Sequence, residues 1–381
     1  ETPDGPLPHG AGDRAESCQS CHMPSRGADG TPLRSKIASI QEFSTFPQAE
    51  NNLGPEDIDL KARDGFSVHT LVGLNVFLVK MAQQFPDLLG IRTQDPMLVS
   101  RGVDPLIRTE QAMLDLAGTA TADVALSEIQ QCDGTLSARV TVTNKAGHKF
   151  PSGVGFRRAF LTFEVLDQEG ATLWASGRTN AAGALVDQDG TPIAGEYWWR
   201  DDCSARVEPE ARLHQPHAER IGRQDRAQVY QELVSTPPNS EKAPACGHET
   251  PARGMLTTSF LSICSPVKDN RILPHGTLPL AARTEIAKAL GAGADLAQET
   301  GAFAVGDDPD YVAGGADSLV YDVPLGDLPA GSRPAAVQAT LYYQTTPPFY
   351  LQDRFCTGRG KDTDRLKFMV GHLNLDGTAA A

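Results

Sequence analysis

A chain of 381 residues with an ordinary hydrophobic share of 40% is long enough for two or three domains and a sizeable core. Its net charge of −14, with the acids scattered along the chain, argues against nucleic acid or an anionic membrane surface as partners. No apolar run approaches the roughly 18 residues a membrane-spanning helix needs, and there is no Gly-x-Ser-x-Gly, phosphate loop or dinucleotide fingerprint to support a hydrolase, kinase or nicotinamide dehydrogenase.

The first chemical signal in chain order is Cys18-Gln-Ser-Cys21-His22. Cys-x-x-Cys-His is the pattern that covalent attachment of a c-type haem requires: two thiols add to the porphyrin vinyl groups and the adjacent histidine ligates iron. A thioredoxin-like dithiol would sit between a strand and a helix, and this segment is polar and rich in Gly and Pro. A zinc site would need a second ligand pair at close spacing, and none follows. One intact motif therefore predicts one covalent haem c, with His22 as iron ligand. Because haem c is attached outside the cytoplasm, the expected location is periplasmic or extracellular. With Glu at its first position and no signal peptide, the chain reads as one already exported and trimmed. Five further cysteines, Cys132, Cys203, Cys246, Cys264 and Cys356, allow at most two disulfides and one leftover thiol.

From Ser35 to Ala117 the periodicity is helical. Val68, Leu71, Val72, Val76, Val79 and Ala82 recur at helical spacing, which predicts an amphipathic helix over 68–85 opened by His69. His69 is thereby the first choice for a second iron ligand. Met81, Met97 and Met113 lie in or beside apolar stretches and read as core, Met23 is too close to His22 to reach the opposite face of a haem, and Thr109–Leu116 is a further short helix.

Near residue 120 the pattern changes to alternation, in 136–142 and 159–165, with later strands at 318–323 and 335–344 and a short helix at 278–290. The fold class is α+β: a small helical c-type haem domain over 1–120, then a larger antiparallel β-sandwich-like domain with helical insertions over 121–381. Within the second, His148 sits in a turn rich in Gly and Pro, and Arg157 and Arg158 follow it. All three are candidate haem contacts, the arginines as partners of the propionates, against ordinary turn and ion-pair roles. His214-Gln-Pro-His217 has spacing that suits a metal in a loop, and Gly306–Tyr311 offers carboxylates but lacks the alternation of a calcium loop.

Several blocks carry a resemblance. Cys18-Gln-Ser-Cys-His-Met-Pro24, Val68-His-Thr-Leu-Val-Gly-Leu-Asn75, Gly147-His-Lys-Phe-Pro-Ser-Gly153 with Arg157-Arg158, Thr257-Thr-Ser-Phe-Leu261, Lys268-Asp-Asn-Arg-Ile-Leu-Pro274 and Tyr343-Gln-Thr-Thr-Pro-Pro-Phe-Tyr-Leu351 with Arg354-Phe355 resemble, in this order, those of a poorly characterised family of exported multihaem c-type cytochrome-like proteins. The resemblance implies an extracytoplasmic electron-transfer protein in which His22 is the proximal ligand and His69 matches the histidine of a helix-opening block. It also implies a redox protein partner, another multihaem cytochrome or a larger complex, and leaves His9 as a candidate ligand for a haem outside the chain. The reading is a one-haem electron-transfer cytochrome. The alternatives are a haem oxidoreductase with an open distal site acting on peroxide or a small nitrogen compound, and a subunit of a larger respiratory assembly.

Overall fold

The computed structural model describes residues 7–9, 17–27, 29–35, 63–64, 67–93, 102–207, 214–236 and 255–375. Much of the stretch read as helical between Ser35 and Ala117, Met97 included, lies outside them. In chain order the described elements begin with α1 (Cys18–His22), the short paired strands β1 (Arg34–Ser35) and β2 (Arg63–Asp64), and the helices α2 (Val76–Gln84), α3 (Pro86–Leu89) and α4 (Asp104–Leu116). A five-residue π-turn, Ala117–Thr121, then leads into the strands.

The alternating segments form β3 (Ala122–Cys132), β4 (Thr135–Asn144), β5 (Arg158–Leu166), β6 (Thr172–Ser176), β7 (Arg178–Thr179), β8 (Leu185–Val186), β9 (Arg220–Ile221), β10 (Val229–Ser235), β11 (Leu256–Thr257) and β12 (Ser265–Asp269). Helices α5 (Leu280–Ala289), α6 (Ala294–Glu299) and α7 (Asp310–Ala313) precede β13 (Ala316–Pro324) and β14 (Ala336–Gln344), and α8 (Pro348–Thr357) and α9 (Lys361–His372) close the described chain.

One sheet runs β3-β4-β13-β9, antiparallel except for the β13–β9 pair. A second runs β11-β10-β5-β14, with β12 beside β10 and β6 beside β5. Strict alternation along β4 and β13 sends Leu136, Ala138, Val140, Leu319, Tyr321 and Val323 inward, where they share one apolar cluster with Leu161, Phe163 and Val165 of β5. β5 is buried on both faces, because Phe160 on its other side packs with Leu185, Ile193 and Val229. A strand covered on both faces reads as a continuous apolar run. The chain is thus a mixture of helices and largely antiparallel sheets.

Two compact units divide it. The helical unit comprises Glu16–Ala120 together with Asp364–Ala379, and the β-rich unit comprises Thr121–Thr363 with Glu1–Ala15 and the last two residues. Relative to a boundary at residue 120 with domains over 1–120 and 121–381, there are two differences: Glu1–Ala15 fall in the β-rich unit, and Asp364–Ala379, which include most of α9, join the helical unit. Gln84 at the end of α2 explains that return: its side chain donates to the Asn374 carbonyl at 2.7 Å and accepts from the Asn374 amide at 2.8 Å. Phe85 meets Phe368 edge to face at a centroid distance of 6.2 Å.

The helix expected over 68–85 is shorter than its periodicity suggests. Residues 67–75 are not helical, Leu71 takes a left-handed φ of +46°, and the helix begins at Val76, where the Asn75 side chain accepts from the Leu78 amide at 3.2 Å. The Val68 and Leu71 amides of the missing turns bond elsewhere, to the carbonyls of Pro24 and His22.

Candidate functional site

The motif folds as a single helical turn. Ser17 caps it, its hydroxyl accepting from the Ser20 amide at 3.3 Å. A helix brings positions three apart onto one face, so Cys18 and Cys21 present neighbouring thiols, and both are free and exposed. Residues 68–71 lie alongside as a strap. The Leu71 amide and the Thr70 hydroxyl both donate to the His22 carbonyl at 3.0 Å, and the Val68 amide donates to the Pro24 carbonyl at 3.0 Å. The Thr70 amide turns back to the Val68 carbonyl at 3.0 Å, which makes His69 the middle residue of a tight three-residue turn. His69 is therefore exposed on the strap rather than seated on a helix, a correction to the sequence expectation.

The surroundings suit a flat apolar group. Leu71 is 66% exposed, Leu78 50% and Val68 36%, while the buried apolar residues described in this unit are Val76, Met81, Met113 and Met369. Free thiols one turn apart, a histidine whose carbonyl takes two hydrogen bonds from the strap, and uncovered apolar side chains nearby are what covalently bound haem would use. Met81 and Met113 sit in the packing, as expected of core residues.

The remaining sequence candidates belong to the β-rich unit. His148 is exposed in the turn after β4, and its Nδ1 donates to the Lys149 carbonyl at 3.1 Å. Arg158 is 2% exposed and clamps Glu196 with both terminal nitrogens, at 2.6 and 2.8 Å, while its Nε donates to Gln344 at 2.7 Å. Its guanidinium is committed inside the β-rich unit, which withdraws it from the propionate role. Arg157 is half-buried beside the Tyr343 hydroxyl, whose pKa burial raises and Arg157 pulls back down. The blocks around these residues meet for structural reasons. Lys149 donates to Asp269 at 2.7 Å, Phe150 pairs with Ile272, and the Asn144 amide bridges the carbonyls of His148 and Ile272.

A second polar cluster lies deep in the same unit. His217 Nε2 bonds Asp308 at 2.8 Å, and Nδ1 faces the side-chain amides of Gln228 at 3.1 Å and Asn270 at 3.4 Å. Amide NH₂ groups only donate, so Nδ1 accepts and Nε2 carries the proton toward Asp308. Asp317 accepts from Gln228 and from the Tyr230 hydroxyl, at 3.0 and 2.7 Å, and burial pushes its pKa up to about 6. Ligand atoms of His217, Asp308 and Asp317 come within 4.8 Å of one another, yet the NH₂ dipoles aimed at Nδ1 oppose a cation there. His214, the other half of the His-x-x-His spacing, instead lines a small separate cavity with Arg158, Glu196 and Phe349. The acids of 306–311 act as turn acceptors, Asp308 toward the Asp310 amide and Asp310 toward the Ser318 amide.

No protein-family model matches this sequence. No curated protein matches it either. Among solved structures it is similar to the crystal structure of a penta-heme cytochrome c552 from Thermochromatium tepidum, with 15% identity and a TM-score of 0.30. The match covers 90% of this chain and 51% of that one, so the chain spans about half the length of that cytochrome. A superposition this loose bears on neither fold nor function.

Proposed function

We propose that the chain is an extracytoplasmic c-type cytochrome that carries one covalent haem c on Cys18 and Cys21 and exchanges electrons with a redox protein partner. The observation that carries the reading is the contrast among the cysteines. Cys203 and Cys356 form a disulfide and Cys264 is disulfide-bonded too; among the described free cysteines Cys132 stands alone at the end of β3, whereas the Cys18 and Cys21 thiols stay free and exposed together on one helical face with His22 next in line. Disulfides in a chain of this kind support an oxidising compartment. A pair of neighbouring thiols kept open there fits a pair reserved for another bond.

The haem, when bound, supplies a one-electron ferric–ferrous couple. The protein's part is to hold and to tune. The Ser17 cap and the strap at Val68, Thr70 and Leu71 fix the backbone that carries His22, and a rigid ligand costs little reorganisation when charge changes. Three histidines fall within the helical unit, His22, His69 and His372, so His69 and His372 are the further imidazoles this unit could offer to a haem iron. Electron exchange at an exposed edge needs no bond to the partner, and the net negative charge favours a basic one.

Intact mass of the exported protein, with a pyridine haemochrome, tests the reading. One haem per chain is expected, with Cys18→Ser or Cys21→Ser leaving at most a single thioether and the double variant none. A chain of unmodified mass from a host competent in haem c maturation would overturn it.

A further inference from the structure

The buried tyrosines described in the β-rich unit are Tyr230, Tyr311 and Tyr321, and each feels the charge of Asp317. What their hydroxyls meet separates them. The Tyr311 hydroxyl donates to the Asn270 carbonyl at 2.6 Å, and that of Tyr321 has no carboxylate within hydrogen-bond distance. The Tyr230 hydroxyl alone of the three donates to a carboxylate, Oδ2 of Asp317, at 2.7 Å. A phenol bonded to a base can give up an electron and its proton together. A backbone carbonyl accepts the hydrogen bond but not the proton.

Asp317 is placed to take that proton. Its Oδ1 has no hydrogen-bond partner, and the other donor to Oδ2 is the Gln228 side-chain amide at 3.0 Å, which is not an acid. His217 turns its proton to Asp308, and Lys268 directs two of its N–H bonds to the carbonyls of Gln215 and Val229, at 2.8 and 2.6 Å. Tyr230 is 0% exposed and Asp317 1%. Burial penalises the ionised carboxylate. Removing one electron from the phenol while its proton moves across turns that anion into a neutral acid beside a neutral phenoxyl, so the burial that costs free energy beforehand eases the oxidation.

An aromatic path leads outward from the pair. Tyr321 packs in one apolar cluster with Tyr230 and stacks on Phe163 at a centroid distance of 4.2 Å, and Phe163 meets Trp174 edge to face at 6.2 Å. Trp174 in turn lines an open cleft with Arg178, Gln224 and Asp327. We propose that Tyr230 is a redox-active tyrosine with Asp317 as its proton acceptor, oxidised by a one-electron oxidant of high potential that reaches it through the Trp174 cleft. The oxidant takes one electron, the Tyr230 O–H bond breaks, and its proton forms an O–H bond on Asp317 Oδ2. A one-electron reductant returns the phenol and the carboxylate. No haem is needed, since the pair and its path lie within the β-rich unit. The competing role is a hydrogen bond that only satisfies two buried polar groups.

Flash-quench oxidation of the full chain with a photoexcited ruthenium tris-bipyridine complex, any haem being held ferric, tests the assignment. Electron paramagnetic resonance, with ring-deuterated tyrosine to identify the radical, should show a tyrosyl signal in wild type and in Tyr321→Phe and none in Tyr230→Phe. Asp317→Asn, which keeps an acceptor but not the base, should lower the yield about a hundredfold, the low end of what a positioned base contributes. Trp174→Phe should slow the radical's formation. Infrared difference spectra of wild type should gain a protonated-carboxyl band along with the radical, a readout that stands even where Tyr230→Phe does not fold. The absence of a tyrosyl signal from wild type, its persistence in Tyr230→Phe, an unchanged yield in Asp317→Asn or a radical without the carboxyl band would overturn the assignment, and an unchanged rate in Trp174→Phe would overturn the route through the cleft.

Discussion

At the residue scale, Asp317 is a buried carboxyl whose titration bears on stability near neutral pH. It is 1% exposed, its Oδ1 has no hydrogen-bond partner, and desolvation is the largest influence on it, with Asp308 adding to the rise and Tyr230, His217 and Gln228 opposing it. A carboxyl with a raised folded pKa binds more protons folded than unfolded, so stability falls as pH rises from about 4 through the folded value near 6. Asp317→Asn keeps an acceptor for Tyr230 and Gln228 and removes the charge. Urea unfolding should show the variant more stable than wild type at pH 8, by on the order of 1–3 kcal/mol, with the advantage shrinking at pH 5. A variant weaker than wild type at pH 8 would mean that the ionised carboxylate is needed, by His217 or by the buried ammonium of Lys268, whose own pKa burial lowers to about 7.

Among elements, the strap and α2 show where periodicity misleads. The apolar spacing of 68–82 is genuine, yet hydrogen bonds to His22 and Pro24 outcompete the first two turns, and Leu71 leaves the helical region. Asn75 then decides where the helix starts. Asn75→Ala should cost about 1 kcal/mol in thermal unfolding of the helical unit and Asn75→Ser should recover most of it; equal stability for all three would show that packing alone sets this end. Strands β4 and β13 were legible because each alternates between a buried and a less buried face, and the residue pattern records that. The burial of β5 on both sides, and of Arg158 against Glu196 within it, depends on what the chain brings over its second face.

For the whole molecule, the disulfide between Cys203 and Cys356 ties α8 back across a sequence separation of 153 residues within the β-rich unit. Replacing both cysteines with serine should lower the stability of that unit by about 2–5 kcal/mol. The haem spectrum should stay the same, because the motif and its strap belong to the other unit. A spectral change on removing the disulfide would show that the two units report on each other.

The Cys-x-x-Cys-His run, the change from helical to alternating pattern near residue 120 and the limit on disulfides could all be read from the sequence, because each depends on residues close together along the chain or on a simple count. The motif is a short contiguous run, helix and strand periods are local, and cysteine number needs no structure. What the chain alone could not provide were long-range choices: which carbonyls the strap donors would find, which carboxylate would take Arg158, and the return of residues beyond Thr363 to the helical unit. Hydrogen-bond donors and apolar faces take the partner that the fold brings within reach. His372 lies far along the chain from His22, and only the tertiary structure puts both in one unit.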